Sequence, residues 1–182
     1  MRSQDDRRRR LEDVAGEVFE PLQRYLRRRL PASDVEDVFA DVMLTLWRRV
    51  DDIPVTQPLP WCYGVARRTL ANHHRSRRRH LALVGRLASQ PPSWLAPDPA
   101  DLGGDPALVS ALATLPTPDQ EILYLWAWEQ LEPREIASVL ESTPNAVSLR
   151  LSRARQKLAD AVIRQNAAGS GHRGSNSTEE QR

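Results

Sequence analysis

Apolar positions recur every three to four residues along most of this chain, the spacing of one face of a helix. Leu11, Val14, Ala15, Val18, Phe19, Leu22, Leu26 and Leu30 predict a first helical segment, which Pro21 is expected to kink or divide and Pro31 to end. Ser33 and Glu36 form a capping-box pattern that opens a second helix, running to about Val50. Its inner side is Val35, Val38, Phe39, Val42, Met43, Leu46 and Val50. Residues 51–60 hold three prolines and read as a loop. A third helix spans Trp61 to His80, with Cys62, Tyr63, Ala66, Leu70 and Leu81 on one side, and is expected to reach about Ala88. Beyond a proline-rich stretch the pattern resumes. One helix covers about 106–114, and a second covers 118–129, with Thr117 as N-cap and Ile122, Leu123, Leu125 and Trp126 inward. A short helix follows over 133–140, and Thr143 caps a last one that begins at Pro144. Small Ala137, ten residues before Val147, lets these two helices cross closely, as in a helix-turn-helix.

The fold class is therefore all-α. Two small helical domains are expected, an N-terminal bundle over residues 11–88 and a C-terminal helix-turn-helix domain over 106–165. An extended Pro-rich linker, 89–105, joins them, with a flexible basic tail at 1–10 and a disordered tail at 166–182. The linker's charges are all negative (Asp98, Asp101, Asp105). One cysteine, Cys62, excludes an internal disulfide and is expected to pack in a core. No apolar run approaches the roughly 18 residues of a membrane span. The opening MRSQDDRRRR also lacks a signal peptide's apolar core, so a cytoplasmic protein with no membrane insertion is expected.

Charge adds function to this outline. The formal net charge is only +2, yet Trp61–His80 carries six arginines and three histidines and no acid. On a helix, Arg67, Arg68, Arg75, Arg78 and Arg79 fall within about 120°, with Trp61 on the same side and Asn72 beside it. With no acids at i±4 to offset them, these guanidinium groups repel one another, a cost that phosphates would relieve. A nucleic acid is the expected partner. The outer side of the second helix carries Asp34, Asp37, Asp41, Leu44 and Arg48. The helix dipole accounts for acids in the first turn, but not for Asp41 and an outward Leu44, which suit docking onto a basic protein helix. On the last helix Asn145, Ser148, Leu149, Ser152 and Gln156 point outward, flanked by Arg150, Arg153, Arg155 and Lys157. Short polar groups between cations fit major-groove reading between phosphate anchors.

Three stretches, DVEDVFADVMLTLWRR, LPWCYGVARRTLANHHRSRRR and the segment from Leu115 to Leu158, resemble the extracytoplasmic-function (group 4) sigma factors of bacterial RNA polymerase, of the sigma-70 family. The resemblance covers roughly residues 11–165. It implies that Asp37, Asp41, Leu44 and Arg48 bind core RNA polymerase. Trp61, Arg67, Arg68, Asn72, Arg75, Arg78 and Arg79, with the 51–60 loop, would hold the −10 region of promoter DNA and capture a flipped base. Asn145, Ser148, Leu149, Arg150, Ser152 and Arg153 would read the −35 element. The acidic linker would thread the polymerase's RNA path, and an anti-sigma factor is a further partner implied by the family alone. The chain departs from the family where Glu141 stands in place of the glycine common in the helix-turn-helix turn.

Two other readings compete. A stand-alone helix-turn-helix regulator explains residues 105–165 but leaves the arginine helix and the Asp41/Leu44 face idle. A metal-dependent nuclease would need His73 and His74, which as helix neighbours lie 100° apart and cannot easily share a metal. No acid stands between Asp52 and Asp98 to complete such a site. No catalytic residue, metal or cofactor is expected.

Overall fold

The computed structural model describes residues 4–83 and 105–171, all of whose regular structure is helical. Helix α1 spans Gln4–Arg27, α2 Ala32–Arg48 and α3 Pro58–Leu83. In the second half α4 spans Pro106–Ala113, α5 Thr117–Ala127, α6 Pro133–Leu140 and α7 Pro144–Gly171. The expected linker lies outside the described residues except for Asp105, as do residues 172–182 of the expected tail, whose first residues, 166–171, are instead the end of α7.

α1, α2 and α3 pack on one another, burying Val14, Val18, Leu22 and Leu26 against Val35, Val38, Val42 and Leu46, with Cys62, Ala66 and Leu70 completing the core. Pro21 does not divide α1, which runs through it. The apolar residues on both sides of the proline are buried, and their packing outweighs one lost backbone hydrogen bond. Residues 4–10 are not a loose tail but the first turns of α1. Arg10 donates to the carbonyls of Val50 (3.0 Å) and Ile53, and Arg7 to that of Trp47 (3.2 Å). The capping box at Ser33 does not form. The helix starts two residues earlier, with Asp34 N donating to Pro31 O, and Ser33 Oγ turns to Asp34 Oδ1 at 2.7 Å. α3 likewise begins before Trp61, at Pro58, because Pro58 and Pro60 occupy a first turn that needs no N–H.

In the second half α4, α5 and α6 each pack on α7. Asp105 caps α4, accepting from Ala107 N and Leu108 N. At α7 the expected cap is present, Thr143 Oγ1 accepting from Ala146 N at 3.3 Å. Thr117, by contrast, is the first residue of α5 and not its cap. Ile136 and Ala137 are buried with Val147, Leu151 and Ala154, the crossing the spacing predicts. Trp126 departs from expectation. It is 39% exposed, under the Arg155 guanidinium 4.7 Å from its ring centre.

The two halves are not separate cores. Their buried residues form one continuous cluster, and α6 packs against α3. The two come near each other at Gly64, where a Cβ would lie 3.7 Å from the Val139 carbonyl oxygen, an ordinary van der Waals contact.

Candidate nucleic-acid interface

The arginine stripe of α3 is divided along its length. Asn72, Arg75, Arg78 and Arg79 are exposed. Nearer the helix start, the stripe meets the second half of the chain. Arg67 grips Glu121 of α5 with two bonds, Nε–Oε1 at 2.6 Å and Nη2–Oε2 at 3.2 Å, and Arg68 pairs with Glu141 at the end of α6. The bonds from Glu121 hold Arg67 more firmly cationic than an ordinary arginine, against the opposing effect of burial. Trp61 is half-buried, with the Arg49 guanidinium 5.0 Å over its ring. Arg77, off the stripe, pairs with Asp34 Oδ2 at 2.7 Å, and His73 Nε2 lies 3.1 Å from the same oxygen. Asp34, bonded by Ser33 and then His73, with Arg77 close by, sits below the usual carboxylate range although burial opposes this. Burial, then the neighbouring His73, Arg77 and Arg78, pushes His74 down to about 4. Its ring is therefore neutral at physiological pH.

The loop before α3 is anchored at its base and open at its tip. Ile53 is buried, Val55 is 81% exposed, and Thr56 and Gln57 are exposed, with Gln57 at a left-handed φ of 59°. On α2, Asp37, Asp41 and Arg48 are exposed and Leu44 is 45% exposed. An acidic and apolar strip thus stands on the surface where the spacing puts it.

On α7 the buried edge of Val147, Leu151 and Ala154 turns Asn145, Ser148, Leu149, Arg150, Ser152 and Arg153 outward. Ser148 Oγ donates to Pro144 O at 2.9 Å, and Leu149 is 51% exposed. Arg150 is less available than the sequence implies, since its Nε donates to Asp119 Oδ1 at 3.1 Å, beside Lys157 on Oδ2 at 2.7 Å. Burial raises the Asp119 carboxyl, but the Lys157 and Arg150 bonds outweigh it and hold the group below its ordinary value.

Two of the acids opposite the α3 side, Glu121 and Glu129, are residues that sequence reasoning missed. Glu129 is enclosed, its side chain only 3% exposed, and accepts from Arg29 Nη1 at 3.0 Å, from Arg28, and from the Tyr63 hydroxyl at 3.3 Å. Burial, then Glu129, raises the Tyr63 hydroxyl far above the ordinary tyrosine value, so it stays a neutral donor. The one available signal was two glutamates inside the otherwise apolar run QEILYLWAWEQ.

Comparison with known proteins agrees with this anatomy. Residues 17–80 match the family model of Sigma-70 region 2, and residues 106–158 that of Sigma-70, region 4. The chain is 30% identical over 138 residues to the probable RNA polymerase sigma factor RfaY of Xanthomonas campestris pv. campestris, covering 70% of this chain and 34% of that protein. It therefore spans about a third of that relative's length. It is 28% identical over 141 residues to the RNA polymerase sigma factor CnrH of Cupriavidus metallidurans, covering 71% of this chain and 73% of the relative. The sigma factor RpoE of Bartonella quintana, solved with the anti-sigma factor NepR, has a similar fold, with a TM-score of 0.63 at 18% identity over 84% of this chain and 96% of that one. One family region thus falls on the bundle with the arginine stripe and the next on the helix-turn-helix unit, and the chain belongs to the sigma-70 family as an extracytoplasmic-function member.

Proposed function

We propose that this chain is an alternative sigma factor that binds bacterial core RNA polymerase, recognises −35 and −10 promoter elements and assists promoter melting. One observation carries the reading. Two exposed, cation-bearing helix faces, that of α3 (Asn72, Arg75, Arg78, Arg79) and that of α7 (Asn145, Ser148, Leu149, Ser152, Arg153), lie on the two segments that match regions 2 and 4. The α3 face meets the −10 region, and the tip of the 51–60 loop holds a base flipped out of the non-template strand. Unstacking that base costs a few kcal/mol and starts strand opening. The α7 face reads the −35 element, and Asp37, Asp41, Leu44 and Arg48 dock on polymerase. Residues 89–105 follow the RNA path, and an anti-sigma factor is the natural antagonist, by analogy with the complex of the B. quintana protein.

The test is co-purification with core polymerase, followed by transcription in vitro from a library of genomic fragments. The wild-type chain should be retained and should direct initiation at a defined promoter set. Asp41→Arg with Leu44→Ala should lower retention at least about tenfold while leaving helicity unchanged. Undiminished retention would remove α2 from the docking surface, and wild-type protein that polymerase ignores would end the reading.

A further inference from the structure

The loop that leads into α3 is held from outside itself, by the first turns of α1. Arg10 donates from Nε to Val50 O at 3.0 Å and from Nη2 to Ile53 O, so one planar guanidinium spans two carbonyls of the same turn. Arg7 donates to Trp47 O at 3.2 Å, pairs with Asp51 Oδ2 at 3.3 Å and lies 5.7 Å over the Trp47 ring. Both cations thus sit at the carbonyl end of α2, where the helix dipole favours them. Val50 and Ile53 are buried, yet just beyond them the chain is open, Val55 being 81% exposed. The tip is stiff as well as open. Ile53 is extended (φ −66°, ψ 126°) ahead of Pro54, the conformation that a following proline favours. Gln57 takes a left-handed φ of 59° immediately before α3. A side chain in that conformation persists where the chain on both sides is fixed. Pro58, in the first turn of α3, fixes one side, and Ile53, held by Arg10, fixes the other.

We infer that Arg7 and Arg10 are positioning residues for base recognition: by clamping the turn after α2 they aim the tip, Val55 to Gln57, at the base flipped from the −10 region and so set which base is preferred. This role rests on the reading of the tip as the element that holds that base. Neither arginine touches DNA in it, because Arg10 spends its donors on carbonyls and Arg7 on Trp47 O and Asp51. Bonds from a charged donor are stronger than neutral ones, so the turn keeps its place when a base presses on the tip. The fork matters as much as the charge. A lysine is a compact head on a flexible stem, without the rigid pair of donors that bridges Val50 and Ile53. An N–H···O bond tolerates well under about 1 Å of displacement, so a tip free to drift would hold different bases almost equally.

The experiment uses the full chain with core polymerase and one promoter recovered from the genomic library, its −35 and −10 elements randomised in a template pool. Barcoded transcripts report the base preference at every position. Thr56→Ala with Gln57→Ala identifies the positions that the tip reads. There the wild type should favour its best base over its worst by at least about fivefold. Arg10→Ala should cut that ratio below about twofold at the same positions. Preferences in the −35 element, read by α7, should not change. Arg10→Lys, which keeps a charge at the end of α2, should restore stability but not the ratio. A merely stabilising role would lower transcription from every template by one factor and move no ratio, and that result would overturn the clamp. An unaltered pattern in the tip variant would overturn the reading of the tip, and the clamp with it, whatever Arg10→Ala does. If Arg10→Ala does not fold, Arg7→Ala, at a half-buried residue, decides by the same outcomes.

Discussion

Glu141 has φ 54° and ψ 46°, a left-handed conformation that a side chain disfavours by about 1–2 kcal/mol. The turn between α6 and α7 imposes it, because Ser142 N must reach back to Ala137 O (2.9 Å) to close the helix. Against that strain stands one ion pair with Arg68, both partners half-exposed or more, worth at most about 1 kcal/mol. Glu141→Gly should therefore stabilise the folded chain by about 0.5–1 kcal/mol, seen as a higher urea midpoint. A lower midpoint would mean that the pair to Arg68 outweighs the backbone strain. Residue by residue, the sequence disclosed most of what is local: the Thr143 cap, the buried run of α2, the outward Leu44, and the departure at Glu141. It did not disclose that Trp126 would lie outward under Arg155. The helical angle alone cannot separate a residue at the edge of a buried face from one inside it.

Between elements, Asp119 ties α5 to α7 through Arg150 and Lys157. Its own side chain is 6% exposed while its partners are half-exposed, so the cluster sits at the margin between a buried and a surface pair. Removing the charge should cost about 1–2 kcal/mol. The folded-state pKa lies below the ordinary 3.8, so near pH 4 the native chain binds fewer protons than the unfolded one. This contribution is fully present above that value and is lost as the pH falls through the depressed folded value. Asp119→Asn should be less stable at neutral pH, and its stability should fall less steeply than that of the wild type below pH 3.8. Parallel pH profiles in denaturant unfolding would show that the cluster contributes nothing. Elements were read well where a stripe of apolar residues defined them, as in α6, and poorly where a proline or a polar start decided the boundary. Pro21 was tolerated because both flanking turns are buried, and residues 4–10 became helix because Arg7 found a carbonyl at the end of α2 and Arg10 found carbonyls on the turn after it.

At the scale of the whole molecule, the linker's composition suggests two independent cores, whereas the structure joins them through α3 and α6. Ion pairs such as Arg29–Glu129, a hundred residues apart, leave no periodic trace, so no local pattern could have announced the contact. The consequence is measurable. Val147 is buried at the centre of the α6–α7 crossing, and Val147→Asp places an unpaired charge there, which should unfold the second unit. The three-helix bundle has its own core of Val18, Leu22, Val42 and Leu46 and should remain folded. It should nonetheless be weakened, because unfolding the second unit withdraws Glu129 from a nearly enclosed Arg29 and Glu121 from Arg67. Arg29 can turn outward once α6 leaves, so the loss should be about 1–3 kcal/mol, less than for a cation left trapped. Hydrogen exchange at the amides of Leu22, Val42 and Leu46 reads this directly. Their protection should fall roughly 5- to 150-fold in Val147→Asp, the factor corresponding to that energy. Unchanged protection would mean that the α3–α6 contact contributes no stability to the bundle. Complete loss would mean that the bundle cannot stand without the second unit, and the exposed cationic faces of α3 and α7 could then never part while folded.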